Sequence, residues 1–522
     1  METSSIAAPL PADGEEVGGK GLKRNAIGFL DGLAIGVDST APAYSLAAVI
    51  GSLVVLVGVQ APGVLLLSFV PMFLIAGAFY YLNRADQDCG TTFAWVTRAM
   101  GPWAGWIGGW AIFTTGVLVI GSLADISAYY IYDLLTLDAL RDSRVAVVAF
   151  AVVIIAVMTT ICVIGTELSA RVQRVMVLAQ VGALILFAAV AAFRLATGDA
   201  PSGSIDPELS WLSPFAVGDY SALLSGLLLG VFIYWGWESA VNLTEETEDS
   251  ARAPGLAGVS STVILLATYI GVAVTLIAFA GLGAVGEFDD DAGVLGAVAE
   301  EVLGPLSFLV VLAVITSGIA STQTTILPAS RTSLSMAAAG AFPRAFARVH
   351  PRFLTPDFST IVIGAVATAW YVGASIVSDN FLFDSLSALS LMIAFYYALT
   401  GIACAIYYRR ELLRSVKNLL LIGVGPLAGA AMLGYLLFES ARQLSNPDES
   451  YTGGSLLGLG MPLAIAIAFT AVGLAAMVAW RIRASPPARG FFSRPAFEAV
   501  PPEVAAGEAG PVEAVGVGEA EA

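Results

Sequence analysis

Apolar residues run along this chain in long blocks separated by short polar links. Twelve blocks stand out, at roughly 26–57, 62–82, 103–130, 144–164, 170–195, 221–243, 257–283, 306–337, 358–378, 385–408, 418–439 and 456–480. A helix needs about 20 apolar residues to cross about 30 Å of hydrocarbon. The pattern therefore predicts an all-α integral membrane protein with 12 transmembrane helices. The first block is too long for one straight span. It predicts two half-helices joined by an unwound link.

Two of the blocks carry helix-breaking residues at mid-depth. The first reads Gly36-Val37-Asp38-Ser39-Thr40-Ala41-Pro42. The sixth reads Gly230-Val231-Phe232-Ile233-Tyr234-Trp235-Gly236-Trp237-Glu238. Irregular backbone at that depth leaves N–H and C=O groups that lipid cannot satisfy, so they must face a cavity or a ligand. Paired breaks in corresponding positions of two halves point to a transporter's substrate site.

Asp38, Ser39 and Thr40 are all residue types that cap helix N-termini. Pro42 suits a first helical turn and would disrupt a continuing helix. One half-helix should therefore stop near Gly36 and a second start near Ser39. The new N-terminus would offer N–H groups and a positive dipole end to a carboxylate. The C-terminus of the first half would offer carbonyls to an ammonium or Na⁺. A zwitterionic amino acid matches both. Asp38 itself has two readings. A carboxylate in a span costs about 2.5–3.5 kcal/mol on insertion scales, so it has a task or a partner. It is either a counter-charge for a substrate amine or coupling cation, or a cap for the second half-helix. Gly230 and Gly236 would let the backbone open toward a ligand.

Composition agrees with the block pattern: 57% of residues are hydrophobic and 12% charged, against about 25% charged in soluble domains. The net charge of −17 does not demand a cationic partner, because much of it lies in tails and loops. Glu498, Glu503, Glu508, Glu513, Glu519 and Glu521 sit among Ala, Pro and Gly, a composition that cannot build a core and predicts disorder. Residues 1–19 are similar, and no removable signal peptide is expected there. All but four of the 24 basic residues fall on one side of the twelve predicted spans, the exceptions being Arg141, Arg144, Arg194 and Arg442. That bias predicts a multi-pass protein of the cytoplasmic membrane with both termini in the cytoplasm. Cys89, Cys162 and Cys404 form neither a disulfide framework nor a zinc spacing. The single histidine, His350, excludes a bis-histidine haem or a His-rich metal site. No glycine-rich phosphate loop is present, and no set of nucleophile, base and metal ligand converges. An enzyme, a cofactor and a nucleic-acid partner are therefore not expected.

Several stretches together resemble one family. They are Ala41-Pro42-Ala43-Tyr44-Ser45, the link Cys89-Gly90-Thr91-Thr92-Phe93-Ala94-Trp95 through Gly101-Pro102-Trp103, Gly165-Thr166-Glu167-Leu168-Ser169-Ala170-Arg171, the span-six break with Glu245-Glu246-Thr247, and Gly340-Ala341-Phe342-Pro343-Arg344. In this order, over about residues 24–480, they resemble the amino acid–polyamine–organocation superfamily of permeases. Thr91 stands where a Gly is common. The resemblance implies the leucine-transporter fold, a 5+5 inverted repeat with two extra helices. The implied layout is a cytoplasmic tail over 1–24, a permease domain over 25–482 and an acidic tail over 483–522. Within the permease domain the first repeat covers about 26–195, the second about 221–408, and the peripheral helices about 418–480.

The same resemblance places a gating aromatic at Phe232, with Tyr234 and Trp235 beside it. The implied substrate set is Gly36, Val37, Asp38, Ser39, Thr40, Ala41, Phe232, Ile233, Tyr234, Trp235 and Gly236. Relatives often have a small residue at the position of Asp38. Glu238 aligns with a common acidic residue and would handle a proton or hold the backbone by hydrogen bonds. Ser317, Ser321 and Thr322 on span eight would complete a Na⁺ site, or would only pack against neighbouring helices. A lysine used on span five by some proton-coupled relatives is missing, and Gln180 lies near that place. Asp125 on span three is read as partly solvated. The function implied is secondary active transport of amino acids by alternating access, coupled to H⁺ or Na⁺, with an amine or polyamine carrier and a transporter-like sensor as alternatives. The expected partners are a small-molecule substrate and the lipid bilayer.

Overall fold

The computed structural model describes residues 19–286, 291–378, 381–483 and 490–493. The acidic stretch up to residue 18 and the Glu-rich stretch from residue 494 lie outside the described residues. The described chain is a helical assembly. In order it forms α1 (Phe29–Ser39), α2 (Pro42–Val57), α3 (Ala61–Ala85), α4 (Thr92–Met100), α5 (Pro102–Leu134), α6 (Asp138–Arg141), α7 (Arg144–Ile164), α8 (Thr166–Thr197) and α9 (Tyr220–Ile233). After these come α10 (Ser239–Asn242), α11 (Ala253–Gly286), α12 (Asp291–Leu303), α13 (Phe308–Ala338), α14 (Asp357–Val377), α15 (Phe381–Tyr407), α16 (Val416–Asn418), α17 (Gly425–Gln443) and α18 (Met461–Arg483). Among the described residues, 10 helical stretches are long and apolar enough to cross a membrane, with the run Phe29–Ala85 counted as one. Helix α9 is apolar but shorter.

Local chemistry sets the helix ends. Pro42 and Pro102 open α2 and α5, where the missing N–H removes nothing. The Ser143 hydroxyl accepts from the Ala146 amide at the start of α7, and the Asp219 carboxylate accepts from the Ser221 amide at the start of α9. Small residues then let helices approach closely, as membrane helices require. A Cβ on Gly121 would lie 2.6 Å from the Tyr371 Cβ, and one on Gly401 2.6 Å from the Pro426 carbonyl.

The two broken segments sit together inside this assembly. Helix α1 packs against α8, α10, α11 and α13, and α2 packs against α9, α11, α12 and α13. Outer faces of α7 and α8 stay apolar and uncovered, with Val153, Val157, Val175, Leu178 and Ile185 exposed. At one end of the assembly, Arg331 of α13 makes two hydrogen bonds to Glu246, at 2.9 and 3.0 Å, with both side chains fully buried. Beside them Lys20 donates to Asp88 (2.8 Å) and Glu245 (2.6 Å). Residues 490–493, within the stretch expected as a tail, form a helical turn. Its Phe491 stacks on Phe93 and its Phe492 packs on Trp103. Asp125 pairs with Arg144 and accepts from the Tyr371 hydroxyl.

Candidate functional site

The first break falls later than the sequence suggests. Helix α1 continues through Gly36 to Ser39, and α2 begins at Pro42. The expected stop near Gly36 and start near Ser39 are therefore both corrected. Gly36 stays helical because it is a contact point: a Cβ there would lie 2.5 Å from the Ser261 hydroxyl. The reversal is made by Thr40 and by Ala41, whose φ of 49° is left-handed. Ala41 is the N-cap of α2 and no side chain caps it. Asp38, Ser39 and Thr40 do not cap the second half-helix. The Thr40 hydroxyl instead turns back and donates to the Val37 carbonyl at 2.6 Å.

That geometry also changes which backbone groups are free. The Val37 carbonyl accepts from Thr40, the Asp38 carbonyl from the Ala41 amide, and the Ser39 carbonyl from the Ser321 hydroxyl at 3.0 Å. Of the carbonyls expected to await a cation, those of Val37, Asp38 and Ser39 are thus already engaged. On the other side of the break Pro42 brings no N–H. The first donors of α2 are the Ala43 and Tyr44 amides, which point out of its N-terminal end. The Tyr44 hydroxyl reaches across to Ser122 of α5, at 3.1 Å.

The second break is the stretch from Tyr234 to Glu238, between α9 and the single turn of α10. It meets the first directly. Gly236 has a φ of +119°, and a Cβ there would lie 2.5 Å from the Ser39 carbonyl. Only glycine permits that approach. The Ser39 and Ser239 hydroxyls join the two breaks at 2.6 Å. Gly230 behaves differently from the expectation. It lies inside α9, where a Cβ would strike the Ser68 side chain of α3, so it serves helix packing and not an opening.

The aromatic residues of this stretch separate. Phe232, 5% exposed, lines a cavity of about 290 Å³ with Ala48, Val49, Leu228, Ser390 and Tyr451. Asp448 and Glu449 stand exposed at that cavity's rim. Tyr234 turns away from it and packs between Phe69 and Tyr269. The Ile233 carbonyl accepts from the Tyr269 hydroxyl at 2.7 Å. The Trp235 indole N–H donates to the Tyr396 hydroxyl. Glu238 points toward α15, where its carboxylate accepts from the Tyr396 and Tyr397 hydroxyls, and from the Gly236 amide at 3.2 Å. The two acidic residues of the breaks therefore face opposite ways, because Asp38 accepts from the Gln180 amide group of α8.

The hydroxyls of α13 are mostly committed too. Ser321 holds Ser39, and Thr322 donates back to the Gly318 carbonyl at 2.8 Å. Ser317 and Thr325 have buried hydroxyls without a hydrogen-bond partner among the described residues. Sequence reasoning did not single out Tyr396 and Tyr397 as the groups that hold Glu238. Two adjacent tyrosines inside an apolar span are the available signal, since a buried phenol seeks a polar partner.

Two interrupted helices crossing inside a bundle of apolar helices define a multi-pass membrane transporter, and comparison with known proteins agrees. The family model described as amino acid permease matches residues 36–454, and the chain belongs to that family. It is similar to an uncharacterized transporter of Mycobacterium tuberculosis, 28% identical over 364 residues that cover 68% of this chain and 75% of that protein. The chloroplastic cationic amino acid transporter 9 of Arabidopsis thaliana is 25% identical over 205 residues, 38% of this chain and 33% of its own. A crystal structure of a mutant manganese transporter from Eremococcus coleocola shares the fold, with a TM-score of 0.55 at 14% identity, over 88% of this chain and 95% of that one.

Proposed function

We propose that this permease moves amino acids across the cytoplasmic membrane by secondary active transport with alternating access. The observation that carries the reading is the contact of the two helix breaks at Ser39 and Gly236, with Phe232 just before the second break lining a cavity. In this reading twelve spans form a 5+5 inverted repeat with two extra helices. Both termini are cytoplasmic, which puts the cavity on the outer face. The substrate carboxylate docks on the N-terminal end of α2, where the Ala43 and Tyr44 amides and the dipole favour an anion. The residues from Gly36 to Ala41 and from Phe232 to Gly236 frame the pocket, with Phe232 as its lid. Glu238 holds the second break in shape through Tyr396 and Tyr397.

A second reading narrows the substrate to cationic amino acids or amines. It is favoured by Asp448 and Glu449 at the cavity rim, which attract a cation before it binds. Counterflow in proteoliposomes tests both readings. Purified protein, loaded with each unlabelled amino acid or putrescine in turn, should accelerate entry of the labelled compound. No counterflow with any member of the panel would reject transport. Counterflow with neutral amino acids alone would reject the narrower reading.

A further inference from the structure

Asp38 and Gln180 form a buried pair that does not line the cavity of about 290 Å³. Both side chains are fully buried, and the Gln180 Nε2 donates to Asp38 Oδ1. The second oxygen of each group, Asp38 Oδ2 and Gln180 Oε1, has no hydrogen-bond partner among the described residues. Both orphans are acceptors when Asp38 is ionised. Two buried acceptors on one touching pair is an unstable arrangement, because each has lost its solvation without gaining a donor.

One proton resolves both. Placed on Oδ2, it makes an O–H donor on the same pair as the unpartnered acceptor Gln180 Oε1, while the amide N–H already donates to Oδ1. An acid–amide ring closed by both hydrogen bonds would use every oxygen of the pair. We propose that Asp38 is a proton carrier of this transporter and that Gln180 is its positioning residue. The inference rests on the transport reading. The proton comes from water on one side of the membrane, forms the O–H bond at Oδ2, and returns to water on the other side.

Among the described residues, the surroundings offer no competing counter-charge. On α1 itself, Asp31 is paired with Arg174 of α8 at 2.7 Å. On α13, Arg331 is held by Glu246, and Ser317, Ser321 and Thr325 are neutral. On α11, Ser261 donates to the Ala257 carbonyl at 2.8 Å and Tyr269 to the Ile233 carbonyl. Ahead of α10, Glu238 is turned onto Tyr396 and Tyr397. Asp38 makes no ion pair among the described residues. A carboxylate left with one donor in a low-dielectric site is strongly disfavoured, so the docked α1–α8 contact belongs to the protonated form. Ionisation favours the form in which Asp38 reaches water. Asp38 directly precedes Ser39, which binds Ser239 and Ser321, so a change at Asp38 is felt at the crossing of the two breaks.

Infrared pH-difference spectra of the purified full chain test this without knowledge of the substrate. The wild type should show a protonated-carboxyl band that disappears as the pH rises. Asp38→Asn should lack that band, and Gln180→Leu should shift it, since the acid loses its amide partner. A wild-type and Asp38→Asn pair with the same difference spectrum overturns the proposal. An unshifted band in Gln180→Leu overturns the role of Gln180. Should Asp38→Asn fail to fold, the wild type and Gln180→Leu still decide the matter, because absence of a shift rejects the pair. In proteoliposomes, an inward proton gradient should raise accumulation by the wild type, and that gain should vanish in Asp38→Asn. Accumulation driven by a Na⁺ gradient and not by protons also overturns it. Absence of any counterflow by the wild type rejects the transport reading and leaves the spectra to judge the proton site.

Discussion

Phe232 shows how one side chain can be assigned a task that can be measured. It lines a cavity and lies within one turn of the second break. Removing a buried phenylalanine costs about 3–5 kcal/mol of stability by itself, so loss of transport alone proves little. Phe232→Ala is expected to lower the transport rate at least tenfold, a difference of about 1.4 kcal/mol in the barrier, with Phe232→Leu in between. Transport kinetics and thermal melting should be recorded on the same preparations. Normal flux through a folded Phe232→Ala protein would refute a gating role. Glu238 is a contrasting residue. Its carboxylate is engaged by two tyrosine hydroxyls and one amide, so Glu238→Ala orphans three buried donors. At about 1–3 kcal/mol for each unsatisfied group, the main expected effect is a lower melting temperature. An unchanged melting temperature would show that the tyrosines find other partners.

At the scale of the helix, the crossing of the breaks depends on one glycine. A Cβ on Gly236 meets the Ser39 carbonyl at 2.5 Å, and the φ of +119° disfavours any side chain. Backbone strain of this kind costs on the order of 1–3 kcal/mol before the clash is counted. Gly236→Ala should therefore yield little monodisperse protein in size-exclusion chromatography. Gly373→Ala on α14, where no atom lies within 4 Å, should behave as wild type. Equal yields from both would mean that the two breaks can move apart freely. A second element-level tie is the fully buried pair of Arg331 on α13 and Glu246 after α10. Removing one member of such a pair costs about 3–5 kcal/mol, because the other charge is left without compensation. Arg331→Met should lower the melting temperature sharply, and Arg331→Met with Glu246→Leu should recover most of the loss. A double variant as unstable as the sum of the singles would show that the two residues do not act as a unit.

Across the whole molecule, Lys20 ties the chain before α1 to the α3–α4 link and to the segment after α10. It bonds Asp88 and Glu245, and Asp88 also accepts from the Ser335 hydroxyl at 2.6 Å. Burial pulls the Asp88 carboxyl upward, but the Lys20 ammonium and the hydrogen bonds from Lys20, Ser335 and Gly90 outweigh it and hold the group below its ordinary value. Burial pulls the Lys20 ammonium downward, and the groups around it, Cys89, Asp88 and Glu245, raise it above its ordinary value. The signs then set the window. The Asp88 contribution is complete above an unfolded value of about 3.9 and is lost as pH falls through the lower native value. The Lys20 contribution is complete below about 10.4 and is lost as pH rises through the higher native value. The melting-temperature difference between wild type and Lys20→Met should thus stay flat from about pH 5 to about pH 9 and shrink in stronger acid. A difference that already shrinks near neutrality would show that another group controls this tie.

The sequence alone determined the class of molecule, the family resemblance and the two segments within which helices break. Those follow from block length and from the need to satisfy backbone polar groups in lipid, which are properties of contiguous residues. It also marked Asp38 and Glu238 as needing partners, since a carboxylate in a span is costly wherever it points. The tertiary structure decided where each one points. Asp38 faces Gln180 and Glu238 faces Tyr396 and Tyr397, residues more than 140 positions away in the chain. It also moved the first break to Thr40 and Ala41, because Gly36 is pressed against Ser261 of α11 and stays helical. It gave Gly230 a packing role against Ser68 and left Gly236 alone to face Ser39. Helix type and ends are written in local residue order, whereas the partner of a buried polar group is set by which helices happen to cross, and only the packed chain contains that.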